Sequence, residues 1–312
     1  MSEPMFLQPV YKETIWGGNK LKSIYGYDIP SETTGEAWSV SAHPNGDCDI
    51  ISGSFKGEKL SKVYAEHREL FGGYAKDVFP LLIKIIDAKS DLSIQVHPDD
   101  EYAGKNENGS LGKMECWYIL DCEKDTKIIV GHNASSKEEL RKMIEEKRWG
   151  DLIREIPIKP GDFFQIVPGT VHAIKGGTLI LETQQNSDIT YRLYDYDRLQ
   201  NGKPRELHIE KSIDVVNCPH EDHLAENAIE KEEGASKVTR LISCKYYEVR
   251  KLDVDGSLTI NNLKPFSIYS ILKGEGTVNG TPVKLGDHFI LTSDIEKAEF
   301  KGNMMIITSR PV

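Results

Sequence analysis

Two stretches decide the fold: Phe79-Pro-Leu-Leu-Ile-Lys-Ile-Ile86 and Ser93-Ile-Gln-Val-His97. Both are short β-like runs, closely spaced along the chain. The same texture recurs at Cys116-Trp-Tyr-Ile-Leu120, Lys127-Ile-Ile-Val130, Phe163-Phe-Gln-Ile-Val167, Thr178-Leu-Ile-Leu-Glu-Thr183 and Met304-Met-Ile-Ile-Thr308. Short apolar runs punctuated by Gly, Pro, Asn and Asp predict a mainly all-β chain, built as a sandwich or barrel. Few helices are expected. One runs from Lys137 to about Ile156, opened by the capping box Ser136 and Glu139. Leu140, Met143 and Ile144, then Trp149, Leu152 and Ile153, form its apolar stripe, which Trp149-Gly150 interrupts. A shorter helix spans Ser61 to Leu70 and stops at Gly72-Gly73. Both stripes serve core packing.

From His220 to Gly234 the chain is acidic and poor in β-formers, which predicts a linker. His220 and His223 then belong to a solvated segment and not to a ligand set. A short repeat flanks this segment. Lys159-Pro-Gly-Asp-Phe-Phe-Gln-Ile-Val167 resembles Lys284-Leu-Gly-Asp-His-Phe-Ile-Leu291, the second preceded by a hairpin pattern from Ser270 to Gly280. Two similar β-units follow, residues 1–225 and 226–312.

Length and charge bound the function. The 312 residues carry a net charge of −10, a field that repels nucleic acid and anionic lipid. A phosphorylated metabolite would need cations gathered at its site. No run of eighteen apolar residues occurs, so no membrane span is expected, and Met1-Ser-Glu-Pro-Met-Phe6 lacks the basic and apolar regions of a secretory signal. Five scattered cysteines, Cys48, Cys116, Cys122, Cys218 and Cys244, without a CxxC pair, fit a reducing cytoplasm.

Chemistry concentrates in three places. Gln95 and His97 are two residues apart in a strand, hence on one face, and Pro98 ends the ladder beside them. Lys113, Glu115 and Trp117 share one face of another strand, where buried charges demand partners. Cys116 points the other way, as a small core residue. Pro168-Gly-Thr-Val-His172 brings a histidine in after a tight turn. Two imidazoles, one carboxylate and one amide oxygen suit one divalent ion, zinc above all, held by Gln95, His97, Glu115 and His172. The single ligand charge leaves the ion a strong Lewis acid.

At these residues the chain resembles a known family. Ser93-Ile-Gln-Val-His-Pro-Asp-Asp100, Pro168-Gly-Thr-Val-His-Ala173, Thr190-Tyr-Arg-Leu-Tyr-Asp-Tyr-Asp-Arg198 and Glu36-Ala-Trp-Ser-Val-Ser-Ala-His-Pro-Asn45 resemble the signatures of type I phosphomannose isomerases, over about residues 6 to 215. After the linker the resemblance is to the general cupin pattern. It implies two cupin-type jelly-roll barrels, the second without metal, and a zinc-dependent interconversion of mannose 6-phosphate and fructose 6-phosphate. Carried over by position, Gln95, His97, Glu115 and His172 are the zinc ligands. Arg192, Asp188 and Lys84 are the catalytic candidates, and Ser93, Lys113 and Arg192 hold the phosphate. A monomer or weak homodimer is expected. Gly112 stands where the family often has histidine, and the chain is of the compact form without a long helical insertion.

An aldose–ketose isomerisation moves a proton between neighbouring carbons through an enediol and needs a proton carrier with a shifted pKa. Lys84 lies in an apolar strand, where burial and a nearby cation are expected to lower its pKa toward neutrality, with a purely electrostatic role as the alternative. Asp195, Asp197 and Arg198 read as a loop network, and Trp16 and Trp38 as core aromatics or pocket walls. An iron-dependent cupin oxygenase would suit the His/His/Glu set, but dioxygen needs no surrounding lysines and arginines. A sugar-phosphate sensor without catalysis fits poorly with an intact ligand set and Arg192.

Overall fold

Leu81–Ala88 is buried at every position, because it is covered on both sides. The computed structural model describes residues 3–223, 225, 227–261 and 263–312. In it a six-stranded antiparallel sheet runs Phe163–Ile166, Glu115–Cys122, Thr178–Gln185, Leu81–Ala88, Val10–Gly18 and Thr34–Val40. On one face Ile83, Ile85, Leu181, Cys116 and Tyr118 pack with Tyr247, Val249, Ile268 and Ile307. On the other, Ile86, Ile119 and Ile180 meet Ile128, Val130 and Ile174. A strand buried on both faces reads as a continuous apolar run, which is why no alternation shows at Leu81–Ala88.

The facing sheet has five strands: Ile153–Pro157, Lys127–His132, His172–Ala173, Ile94–Val96 and Tyr191–Tyr194. Its outer residues Ile94, Val96, Ala173, Tyr191 and Leu193 are covered by Leu140, Met143, Ile144, Leu152 and Ile213 from the helices Lys137–Glu145, Trp149–Leu152 and Ile209–Val215. The alternate residues Gln95 and Arg192 thereby face the barrel interior.

The C-terminal sheet orders Ala228–Glu233, Ser236–Ser243, Tyr247–Asn261, Lys297–Pro311, Ser267–Val278 and His288–Leu291, with Thr281–Lys284 beside Ser267–Val278. It continues into the start of the chain. Met5–Gln8 pairs with His288–Leu291, Met5 opposite Ile290 and Phe6 opposite Phe289, and then with Asp49–Ile50.

The all-β expectation holds, with 47% strand and 15% helix. The repeat is real in three dimensions. Lys159 N–H donates to Asp162 Oδ2 at 2.9 Å and Lys284 N–H to Asp287 Oδ2 at 2.8 Å. Gly161 and Gly286 both take the left-handed backbone, at φ 94° and 89°. Ser136 caps its helix, accepting from Glu139 N–H at 3.2 Å, while the Glu139 carboxylate reaches Ser135 instead of closing the box on Ser136. The second expected helix is Leu60–Glu66, continued by a 3₁₀ turn at Arg68–Phe71 that ends on left-handed Gly72.

Two expectations are corrected. Ile153 to Ile156 were placed at the end of a helix but form a strand paired with Lys127–His132, since the open edge of the five-stranded sheet supplies backbone partners there. The linker is also shorter. Ala228–Glu233 is an edge strand, and its Glu230 is answered across the sheet by Arg240 at 3.2 Å and Arg250 at 2.8 Å. Leu224 and Glu226 of that segment, like Met1 and Ser2, lie outside the described residues. His220 is not freely solvated; its side chain is 3% exposed, facing the His132 ring and 3.2 Å from Asp222. His223 is exposed. All five cysteines are unpaired, and among the described residues no helix is long and apolar enough to cross a membrane.

Near the junction of the first and last segments, buried His288 lies between Tyr27 Oη at 2.9 Å and Ser270 Oγ at 2.8 Å. Tyr27 donates to Gly286 O at 2.8 Å, so the network closes with His288 neutral, Nε2–H donating to Tyr27 and Ser270 donating to Nδ1. Burial holds the His288 pKa at about 3. An unfolded histidine takes up its proton near 6.5, so this contribution to stability is complete above pH 6.5 and fades as pH falls toward 3. The slope is about 1.4 kcal/mol per pH unit. Urea midpoints between pH 6 and pH 4 are expected to lose that much of their pH dependence in His288→Gln, and an unaltered slope would refute this.

Candidate active site

The site is assembled by strand register. Across the six-stranded sheet Trp38 lies opposite Lys84, Lys84 opposite Glu182, and Glu182 opposite Trp117, a polar row set in an apolar sheet. Across the five-stranded sheet Gln95 is flanked by His172 and Arg192. The interior between these rows opens into a cavity of about 230 Å³, lined by Ser93, Gln95, Lys84, Lys113, Asp188 and Arg192 among others. That is below the roughly 300–1,000 Å³ of sites for drug-sized molecules and suits a small polar metabolite. A larger cavity of about 590 Å³ lies between Pro4–Met5, Ser52–Phe55 and Thr292, away from every candidate residue.

Beneath the polar cavity four side chains converge. His97 Nε2 and His172 Nε2 are 3.1 Å apart. Glu115 reaches them with separate oxygens, Oε2 at 3.5 Å from His97 and Oε1 at 3.3 Å from His172. The Gln95 amide is 3.3 Å from His172 Nε2, and which of its two ends faces inward is interchangeable by a flip. His97, Glu115 and His172 form a fully buried set with atoms close enough to share one metal ion. Both Glu115 oxygens lack a well-aligned hydrogen-bond donor among the described residues. Lys113 Nζ, 3.2 Å from Oε2, answers one of these oxygens, and a cation among the four side chains would satisfy the remaining buried lone pairs. Burial holds His97 well below the ordinary histidine range and His172 at about 4, so both imidazoles are neutral and ready to ligate. The His172 Nδ1–H donates to Thr170 O at 2.8 Å, which turns the Nε2 lone pair to the site. Gly169, left-handed at φ 85°, lets the Pro168 turn pass close to Asn217, where an added Cβ would stand 2.6 Å from its side chain, and Gly169 N–H donates to His97 O at 2.9 Å.

Lys113 precedes its strand instead of lying in it, and its Nζ is 3.2 Å from Glu115 Oε2. Ser93 donates to Gln95 at 3.2 Å. Asp188 is exposed at the mouth, accepting from Asn45 at 2.6 Å and lying 3.5 Å from His43 Nε2. Asp195 and Arg198 do form a loop network, with Arg205 added to it. Trp38 and Trp16 both line the cavity. Where histidine was expected in the family, Gly112 leaves no room: a Cβ there would stand 2.3 Å from the Asp99 backbone.

One electrostatic expectation is reversed. Lys84 is buried, and burial alone would lower its pKa. Its Nζ, however, is 3.2 Å from Glu182 Oε2 and 3.9 Å from Glu36 Oε2, and these carboxylates hold it well above the ordinary lysine range. Burial opposes ionisation of Glu182 too, but Lys84 and Lys113 hold it charged, and Trp117 Nε1–H donates to it at 3.0 Å. Burial and the Glu182 charge push Glu115 up. Glu182 was missed as a site residue although its signal was visible, a lone carboxylate inside Thr178–Thr183. Arg205 had no local signal.

Comparison with known proteins bears on this geometry. The family model "Phosphomannose isomerase type I, catalytic domain" matches residues 5–125, and "Mannose-6-phosphate isomerase, cupin domain" matches residues 237–311. The chain is 50% identical to the mannose-6-phosphate isomerase ManA of Bacillus subtilis, covering 99% of each chain. It is 46% identical to the mannose-6-phosphate isomerase of Streptococcus mutans, covering 99% of this chain and 98% of the other. A crystal structure of the Bacillus subtilis mannose 6-phosphate isomerase superposes with a TM-score of 0.97 at 47% identity, covering 99% of this chain and all of that one.

Proposed function

This chain belongs to the type I phosphomannose isomerases, and from that premise we propose that it interconverts mannose 6-phosphate and fructose 6-phosphate through an enediol, with one zinc ion per chain. The observation that carries the reading is the buried convergence of His97, Glu115 and His172 under a cavity that holds Lys84, Lys113 and Arg192. Gln95, His97, Glu115 and His172 are the residues that would hold the ion, and mixed nitrogen and oxygen donors suit zinc. When bound, it supplies positive charge beside a sugar oxygen as negative charge develops there.

The chain's own residues do the rest. Ser93, Lys113 and Arg192 receive the phosphate, and the Arg192 fork can also stabilise an oxyanion. Lys84 Nζ is the proton carrier, and Glu182 Oε2 at 3.2 Å is the counter-ion that holds it as the ammonium, so Lys84 enters the reaction as an acid toward a sugar oxygen. Asp188, fixed by His43 and Asn45 at the mouth, is the further acid–base candidate. The iron oxygenase reading gains nothing from these neighbours.

We also assign the chemistry to residues 1–225 and a metal-free supporting role to residues 226–312, where His288 is already satisfied by Tyr27 and Ser270. Every residue the reading needs comes from one chain, which fits a monomer or weak homodimer. Five unpaired cysteines fit the cytoplasm. A coupled assay that follows mannose 6-phosphate formed from fructose 6-phosphate tests the reading. Turnover is expected, lost on exhaustive chelation and regained with zinc. Absence of turnover with zinc present would overturn the isomerase, and turnover after complete metal removal would overturn the metal's role.

A further inference from the structure

The cavity's positive charge is unevenly answered. Lys84 and Lys113 each face a carboxylate at 3.2 Å. Arg192 does not: its Nε is buried without a hydrogen-bond partner among the described residues. Arg205 lines the same cavity. It gives Nε and Nη2 to Asp195, at 2.7 and 2.5 Å, which leaves Nη1 outside that pair. Asp195, itself 4% exposed, also accepts Arg198 Nη2 at 2.5 Å. Arg198 is anchored in turn, its Nη1 donating to Asp91 O at 2.5 Å and its Nε to Asp195 O at 3.2 Å.

The charge count is simple. One carboxylate, Asp195, answers two guanidinium groups, so the Asp195–Arg198–Arg205 cluster keeps one positive charge. Arg192 beside it adds a second. Burial and the Arg205 charge both lower the Arg192 pKa, with Asp195 and Glu206 opposing, so the two guanidinium groups repel each other within one cavity lining. A phosphate monoester carries about −1.5 to −2 at neutral pH, and two forks present the donors its oxygens accept.

Building on the isomerase reading, we propose that Arg205 is a second guanidinium of the phosphate clamp, beside Arg192 in the cavity wall. Asp195 and Arg198 are positioning residues that aim it. The hairpin between them sets the reach. Tyr196, Asp197 and Asn201 take left-handed backbone, and Leu199–Gln200 pairs with Lys203–Pro204, which returns Arg205 to Asp195. The substrate class this end selects is a phosphomonoester, in preference to the neutral sugar.

Steady-state kinetics with fructose 6-phosphate, and inhibition by inorganic phosphate, test the clamp in the zinc-loaded full chain. In Arg205→Met, KM for fructose 6-phosphate is expected to rise roughly 10- to 100-fold and inorganic phosphate to weaken as an inhibitor by a similar factor, with kcat falling much less. Arg205→Lys keeps the charge and should recover part of the KM. Asp195→Asn should shift KM in the same direction by a smaller factor. The thermal shift of the wild-type protein with inorganic phosphate should shrink in Arg205→Met, a readout independent of turnover. KM and phosphate inhibition within twofold of wild type in both Arg205 variants would overturn the clamp, as would a loss confined to kcat. If the wild-type protein were inactive but its phosphate shift still depended on Arg205, the isomerase reading would fail and the clamp would stand.

Discussion

In His97→Ala, bound metal and isomerase activity are expected to vanish together, activity by at least about 10³-fold. The alanine removes one of two neutral imidazoles and leaves Glu115 and His172 unable to enclose an ion. The same substitution relieves a conflict in the metal-free protein. His97 Nε2 and His172 Nε2 stand 3.1 Å apart over a carboxylate without well-aligned donors, an arrangement that favours ligation over stability. The metal-free variant is therefore expected to melt no lower than metal-free wild type, while the zinc-loaded comparison strongly favours wild type. Metal analysis, the coupled assay and melting with and without chelator check all three. A variant with full zinc content would remove His97 from the ligand set.

Lys84→Met is the second large effect, and it has two separable parts. Lys84 is the shared counter-ion of Glu182 and Glu36 inside the barrel. Its loss leaves the buried Glu182 and the partly buried Glu36 without their shared cation, at a cost of about 3–5 kcal/mol in stability. Turnover should fall by about 10²–10⁴ as the proton carrier is lost, with metal retained. The double variant Lys84→Met, Glu182→Gln separates the parts: it should recover much of the stability and none of the turnover. Turnover recovering with stability would show that Lys84 is structural only.

Much of this site was legible in the sequence because period two on a strand is unforgiving. Ser93, Gln95 and His97 had to share a face, and the buried Glu115 had to find a partner. The repeated Gly-Asp turns were visible for the same local reason. What stayed hidden depends on register and on edges. Nothing near Lys84 in sequence announces Glu182, 98 positions later, directly across the sheet, and that carboxylate, together with Glu36, holds the Lys84 pKa up where burial alone would lower it. Ile153 to Ile156 and Ala228–Glu233 became strands because a sheet edge was open to them, which local propensity cannot foresee. Arg205 reaches the cavity only through the turn that precedes it.

The place of Met5–Gln8 has a consequence for synthesis. Their partner strand, His288–Leu291, is made 280 or more residues after them. At roughly 5–20 residues per second that is a wait of about 15–60 s. During it the nascent amino end exposes an unpaired strand edge, the kind that invites pairing with the wrong chain. This seam can close only once His288–Leu291 has been made, so a chain cut short before that strand forfeits the pairing of Met5–Gln8.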